Sequence, residues 1–297
     1  MNSNFITQGI IKFEGSEENT LVATHFAPLN PVSGPPVLFM HGGGQTRHSW
    51  HGAAHRVAEL GLHAFAVDGR GHGDSEWVAS KKYALKYYCN DLAKLAGTLA
   101  DQHGTPPVLI GASLGGLSGM LVVDDYSDNL FSAIVLVDIT PRMTESGVDK
   151  IQGFMAEKME EGFATVEEAA DAIAAYLPDR PRPKSLDGLR KNLRQRDDGR
   201  FYWHWDPGFL KGPHSIDSGR GERQSRLFDA CRKITIPALL VRGAKSELVT
   251  EQAAREFQHL VSHAHFVDVS DAGHMVAGDK NDVFAQAVIE FLQKTVL

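Results

Sequence analysis

Gly111-Ala112-Ser113-Leu114-Gly115-Gly116 sets a serine between glycines two positions away on either side. An apolar run at 108–110 precedes it, and a helical pattern at 114–125 follows. A serine on a sharp strand-to-helix turn has strained backbone angles, and small neighbours let that turn close without collision. Its hydroxyl then stands above the end of the strand. The first N–H groups of the helix point toward any negative charge that forms there. Gly-x-Ser-x-Gly alone also describes a glycine-rich turn with a structural serine; the flanking strand and helix single out Ser113 as a nucleophile.

A serine hydroxyl attacks only when a base removes its proton. His274, in Asp271-Ala-Gly-His274-Met275 between the last predicted strand and the last predicted helix, is the candidate base. Its place fits the chain order serine, acid, histidine. The acid must accept from the second imidazole nitrogen and stabilise the imidazolium. Glu247, in the loop after the strand ending Val241-Arg242-Gly243, is the preferred position. Asp138, at the end of the strand at 133–137, is the alternative. Both stand at carboxyl ends of strands, where open α/β sheets build their sites. As plain surface chemistry, Glu247 would pair with Lys245, and Asp138 with Arg142 or with the turn at Thr140-Pro141. His41-Gly42-Gly43-Gly44 ends an earlier strand, where glycines let the backbone approach a reacting carbonyl. The N–H groups of Gly43 and Leu114 form the expected oxyanion hole, worth about 3–4 kcal/mol per donor.

These residues need a sheet to position them. Continuous apolar runs at 36–40, 63–67, 108–110, 133–137 and 236–241 stop at glycine or polar residues, as strands buried on both faces do. A further strand at 265–269 and two opening antiparallel strands at 10–13 and 21–26 complete the set. Helical patterns at 50–60, 83–103, 114–125, 251–260 and 282–292 alternate with them, which implies a parallel sheet with right-handed crossovers. Residues 145–230 contain no convincing strand. Helices are expected at 151–161 and 166–177, the second opened by a capping box at Thr165 and Glu168 and ended by Pro178, Pro181 and Pro183. The expected organisation is a core of 1–140 and 231–297 interrupted by a helical cap at 141–230. The aromatic group Phe201, Tyr202, Trp203, Trp205 and Phe209 then lines an apolar pocket, with Trp203 and Trp205 as candidate substrate contacts.

Taken together, these motifs resemble the α/β-hydrolase superfamily over residues 10–140 and 231–295. They are His41-Gly-Gly-Gly44, Asp68-Gly-Arg-Gly-His-Gly-Asp-Ser75, the elbow at Ser113, Val241-Arg-Gly243 and Asp271-Ala-Gly-His-Met275, in that order. The resemblance implies a mostly parallel eight-stranded sheet flanked by helices, with a helical cap inserted after the sixth strand. It resembles the cap-bearing branch of esterases, lactonases, carbon–carbon bond hydrolases and perhydrolases. Epoxide hydrolases and haloalkane dehalogenases of this fold carry an aspartate where Ser113 stands. The family's usual acid lies at about Ser246, so the shift to Glu247 keeps Asp138 open. The implied activity is serine hydrolysis of an ester-like bond (carboxylic ester, lactone or thioester) in a small or medium apolar substrate. Carbon–carbon hydrolysis or perhydrolysis by the same triad, and a non-enzymatic receptor on the same fold, are the alternatives.

Other features bound the reading. Thirty basic against thirty-seven acidic residues give a net charge of −7, which argues against nucleic acid and anionic membranes as partners. The aromatic group lacks the basic stripe of a nucleic-acid platform. Gly69, Gly71 and Gly73 lack dinucleotide-loop spacing, and Arg70 and Asp74 are expected to tie their turn together. His48, His51 and His55 form a helical stripe without companions to complete a metal set. No cofactor and no metal are expected. Cys89 and Cys231 are too few for a disulfide framework and read as small buried residues in a reducing compartment. With no apolar run of 18 residues and no leader pattern at the start, a cytoplasmic monomer or homodimer acting on a small molecule is expected.

Overall fold

The computed structural model describes residues 6–126, 130–178, 185–276 and 281–297. Strands β1 (Ile6–Glu14) and β2 (Thr20–Pro28) form the antiparallel opening. β3 (Val37–Met40), β4 (Ala64–Val67), β5 (Val108–Ala112), β6 (Ala133–Val137), β9 (Ala238–Gly243) and β10 (His265–Val269) run parallel to one another. The eight-stranded order is β1-β2-β4-β3-β5-β6-β9-β10. Period-two alternation sorts the side chains to two faces. Leu38, Leu109, Leu136 and Leu240 enter one apolar cluster; Phe39, Ile110, Val135 and Val241 enter the other. Helices α2 (Leu85–His103) and α3 (Leu114–Asp125) cover the first face. α1 (His51–Glu59) and α9 (Asn281–Thr295) cover the second. A sheet covered on both sides explains why the strands read as continuous apolar runs.

Between β6 and β9 lie α4 (Glu145–Ala156), α5 (Val166–Tyr176), α6 (Asp187–Arg190), strands β7 (Leu193–Gln195) and β8 (Phe201–Trp203), and α7 (Arg220–Arg232). β7 and β8 pair as an antiparallel two-stranded sheet, which corrects the expectation of an insertion without strands. Three-residue strands are too short for alternation to register. The first helix of the insertion starts earlier than expected, because Thr144 caps it by accepting from the Gly147 N–H. Thr165 caps α5 by accepting from the Glu168 N–H. Pro181 and Pro183 lie outside the described residues. α7 straddles residue 230 and buries Leu227, Ala230 and Cys231 in the core cluster. After it, α8 (Glu251–Leu260) connects β9 to β10.

The insertion is stitched to the loop after β4. Asp206 accepts from the Tyr83 hydroxyl at 2.7 Å and pairs with Lys81 at 2.6 Å. The Trp77 indole N–H donates to the His204 carbonyl at 3.2 Å. Within that loop the hub is Asp68, which accepts from the Arg47 and Asp74 N–H groups. Arg70 does not close the turn with Asp74. Its guanidinium reaches Asp91 and Glu17, whereas Asp74 pairs with Arg47 at 2.7 Å. Among the described residues no helix is long and apolar enough to cross a membrane. Both cysteines are buried and free.

Candidate active site

Ser113 sits between β5 and α3 at φ 43°, ψ −109°. A non-glycine residue there costs roughly 1–3 kcal/mol, held in place by the surrounding fold. The two flanking glycines are steric requirements. A Cβ on Gly111 would lie 2.6 Å from the Gly116 nitrogen, and one on Gly115 would lie 2.5 Å from the Met40 carbonyl oxygen. β3, β5 and the start of α3 therefore approach one another with no side chain between them.

His274 follows β10 and lines the same cavity as Ser113. Its Nδ1 lies 2.7 Å from Asp138 Oδ2, at the end of β6. Asp138 is fully buried and itself holds a positive φ of 47°. Its other oxygen accepts from the Gly243 N–H at 3.0 Å, and Oδ2 also accepts from the Ser246 hydroxyl at 2.5 Å. Ser246 in turn accepts from the N–H groups of Leu248 and Val249. The preferred acid, Glu247, is elsewhere. Its carboxylate is largely exposed and pairs with Lys150 of α4 at 2.6 Å. The reason lies in the sheet order. β6 stands between β5 and β9, so a residue ending β6 lies beneath the histidine loop. The loop after β9 contributes a hydroxyl at Ser246 that supports the buried carboxylate. Neither of the bland pairings forms: Arg142 binds Glu256, and Lys245 binds Asp271. Ser246 and Gly243 were missed as supports, although Ser246 stands where the family's usual acid does.

The glycine loop after β3 is held by three buried imidazoles. His41 Nε2 accepts from the Gly69 N–H at 2.9 Å, which leaves Nδ1 to donate to the Gly42 carbonyl at 2.7 Å. His72 Nε2 accepts from the Gly44 N–H at 3.1 Å, and its Nδ1 donates to the Arg70 carbonyl. His204, from the insertion, accepts from the Gly73 N–H at 2.7 Å and donates toward the Gly44 carbonyl at 3.3 Å. Gln45 accepts from the Gly42 N–H. Among the described residues the N–H groups of Gly43 and Leu114 donate to nothing. Phe209 packs on this loop so closely that a Cβ at Gly43 would lie 3.1 Å from its ring. The bonds that join these imidazoles to the glycine loop and to Gly69 and Gly73 span 28 to 160 residues, so no local signal announced them.

Burial pushes His72 down to about 3 and His204 well below its ordinary value, reinforced by the neighbouring imidazoles; burial also lowers His41. An unfolded histidine binds its proton near pH 6.5, and these folded ones do not. The unfolded state therefore gains protons first as the pH falls. For His72 the stabilising contribution is complete above about pH 6.5 and is lost progressively toward about pH 3. His72 is expected to cost up to about 1.4 kcal/mol per pH unit in that window, and His41 and His204 act in the same direction. Urea midpoints should fall between pH 7 and pH 5, above the carboxylate range. His72→Gln should flatten the slope, and a flat profile in the unchanged protein would refute this account.

The cavity above Ser113 holds about 300 Å³. Leu117, Val148, Phe154 and Ile173 give it an apolar wall. Trp203 and Trp205 both line it, stacked with ring centres 5.0 Å apart. The Trp203 indole N–H donates to the Glu157 carbonyl at 3.3 Å, which fixes the stack to the loop after α4. Among the described residues no group of three His, Cys, Asp or Glu side chains is placed to hold a metal ion.

Residues 35–280 match the family described as alpha/beta hydrolase fold. An esterase of Mycobacterium tuberculosis is 29% identical over 266 residues, covering 88% of this chain and 82% of that protein. A 2-(acetamidomethylene)succinate hydrolase of Mesorhizobium japonicum is 29% identical over 263 residues, covering 88% of each. A crystal structure of E-2-(acetamidomethylene)succinate hydrolase superposes with a TM-score of 0.78 at 24% identity, covering 97% of this chain and all of that one, a likeness of fold.

Proposed function

Because the chain belongs to the alpha/beta hydrolase family, we propose that it is a serine hydrolase that cleaves an ester-like bond by acyl transfer. The observation that carries this is the 2.7 Å pairing of His274 with buried Asp138 in the cavity that also exposes Ser113. With Nδ1–H directed at Asp138, Nε2 is the nitrogen left to take the Ser113 proton. Ser113 Oγ attacks the carbonyl, and the unspent N–H groups of Gly43 and Leu114 receive the developing oxyanion. His274 then protonates the leaving group. Water then gives a proton to His274 and attacks the same carbonyl; the bond from Ser113 Oγ to the acyl group breaks, His274 returns the proton to Oγ, and the free acid leaves. Asp138 orients the imidazole throughout and stabilises its charged form. The apolar wall accepts the acyl or alcohol chain, with Trp203 and Trp205 as contacts.

The esterase relative supports a carboxylic ester as the first bond to try, with lactones and thioesters next. An active-site-directed fluorophosphonate should give one adduct, mapped to Ser113 by peptide mass. The adduct should vanish in Ser113→Ala and fall steeply in His274→Ala. A folded protein that stays unlabelled would count against an activated serine.

A further inference from the structure

The lining of the cavity that exposes Ser113 includes one residue whose chemistry acyl transfer does not use. Arg223, on α7, stands in that wall among Leu117, Phe209 and Ile216. Of the described lining residues it alone is a lysine or arginine, and none is an aspartate or glutamate. Its Nη2 donates to the Ile216 carbonyl. No carboxylate among the described residues comes within ion-pairing distance of it. Asp217, the acid that pulls on it electrostatically, receives Gln152 at 2.9 Å and faces Arg220 at 4.0 Å. Burial and Arg220 push the Arg223 guanidinium below its ordinary range, and Asp217 only partly offsets this.

Arg223 is half-buried, and the buried arginines differ from it. Arg47 meets Asp68 and Asp74, Arg70 meets Asp91 and Glu17, and Arg242 meets Asp268. Arg194, likewise half-buried and without an acid among the described residues, donates to the Gly73 carbonyl and lies 4.9 Å over the Trp77 ring. A guanidinium drawn from water without a counter-charge is costly, and natural proteins keep such groups paired. Arg223 has most of its five donors unspent, arranged in the planar fork that matches a carboxylate.

We infer that Arg223 receives a carboxylate carried by the substrate, at a point distinct from the bond that Ser113 attacks. This rests on the acyl-transfer reading above. The substrate class becomes an ester-like compound with an apolar middle and a free carboxylate. A single guanidinium balances the one negative charge of a carboxylate, whereas a phosphate group carries about −1.5 to −2 at pH 7. The space of about 300 Å³ is about twice a cavity that admits benzene, so the compound is short.

Two arms test this. In the first, kcat/KM is measured for p-nitrophenyl butyrate and for the p-nitrophenyl hemiester of glutarate. The ratio of acidic to neutral ester should fall roughly 10–100-fold in Arg223→Met, the range of a hydrogen-bonded charged group. Arg223→Gln, which keeps a donor for the Ile216 carbonyl, should lower the same ratio. If both esters fall together in both variants, Arg223 is a structural strut and the inference is overturned. In the second arm, binding of monomethyl glutarate to Ser113→Ala is measured by calorimetry, with and without Arg223→Gln. Binding that weakens at least tenfold supports the carboxylate site even if no ester is turned over; the hydrolase reading alone would then fail. Turnover of both esters with an unchanged ratio, and binding indifferent to Arg223, would remove the carboxylate site and leave the hydrolase standing.

Discussion

Ser113→Ala is expected to lower kcat/KM for an activated ester by roughly 10⁵–10⁶-fold, the scale of losing a nucleophile that acts as a unit with its base. Removing the hydroxyl leaves the donors at Gly43 and Leu114 and the apolar wall in place, so substrate affinity should change little. The loss should therefore appear in kcat. Alanine at a φ of 43° retains the strained backbone, so melting temperatures should stay close to those of the unchanged protein. His274→Ala should lose a comparable factor, and the double variant little more than either alone, because neither group works without the other. Independent, additive losses would mean that the two do not form one device.

Asp138→Asn should cost roughly 10⁴-fold in kcat. Three donors converge on this carboxylate: the Gly243 N–H, the Ser246 hydroxyl and the His274 Nδ1–H. An amide offers one acceptor oxygen. If that oxygen serves His274, the amide N–H₂ faces the Gly243 N–H; if the amide flips, His274 loses its acceptor and takes the other tautomer. A buried donor left unpaired costs about 1–3 kcal/mol, so a lower melting temperature should accompany the kinetic loss. Glu247→Gln removes only an exposed pair with Lys150, worth at most about 1 kcal/mol, and should leave the rate within about twofold. A large loss in Glu247→Gln with little in Asp138→Asn would return the acid to the loop after β9. Steady-state kinetics on the two variants, with thermal unfolding as a control, decides between them.

The contrast between these two carboxylates explains how much of the site was legible in the chain. Ser113 announced itself because the strained strand-to-helix turn that carries it is local. Its constraint runs from Gly111 to Gly116, and the close approaches at Gly111 and Gly115 forbid larger residues. Strand ends were legible for the same reason: an apolar run buried on both faces must stop where its side chains would meet solvent or a site. His274 was placed by chain order, which the sheet topology preserves. The antiparallel opening and the boundaries of α3, α8 and β10 followed from periodicity alone.

The acid was different in kind. Glu247 and Asp138 both end or follow strands, and no local pattern separates them. Their distinction depends on which loop passes over β6, and that is a property of strands stacked in the order β5-β6-β9. The same holds for His41, His72 and His204, which bond to glycines 28 to 160 residues away, and for Arg223, which among the described residues has no carboxylate at ion-pairing distance, a property that appears only once its neighbours are in place. The amino-acid sequence thus determined the chain order of the candidate site residues, which is covalent, and the strained turn that carries Ser113, which is short-range. Tertiary structure alone decided which carboxylate meets the imidazole and which cation is left unpaired, because long-range packing selects one partner among several of equal chemistry.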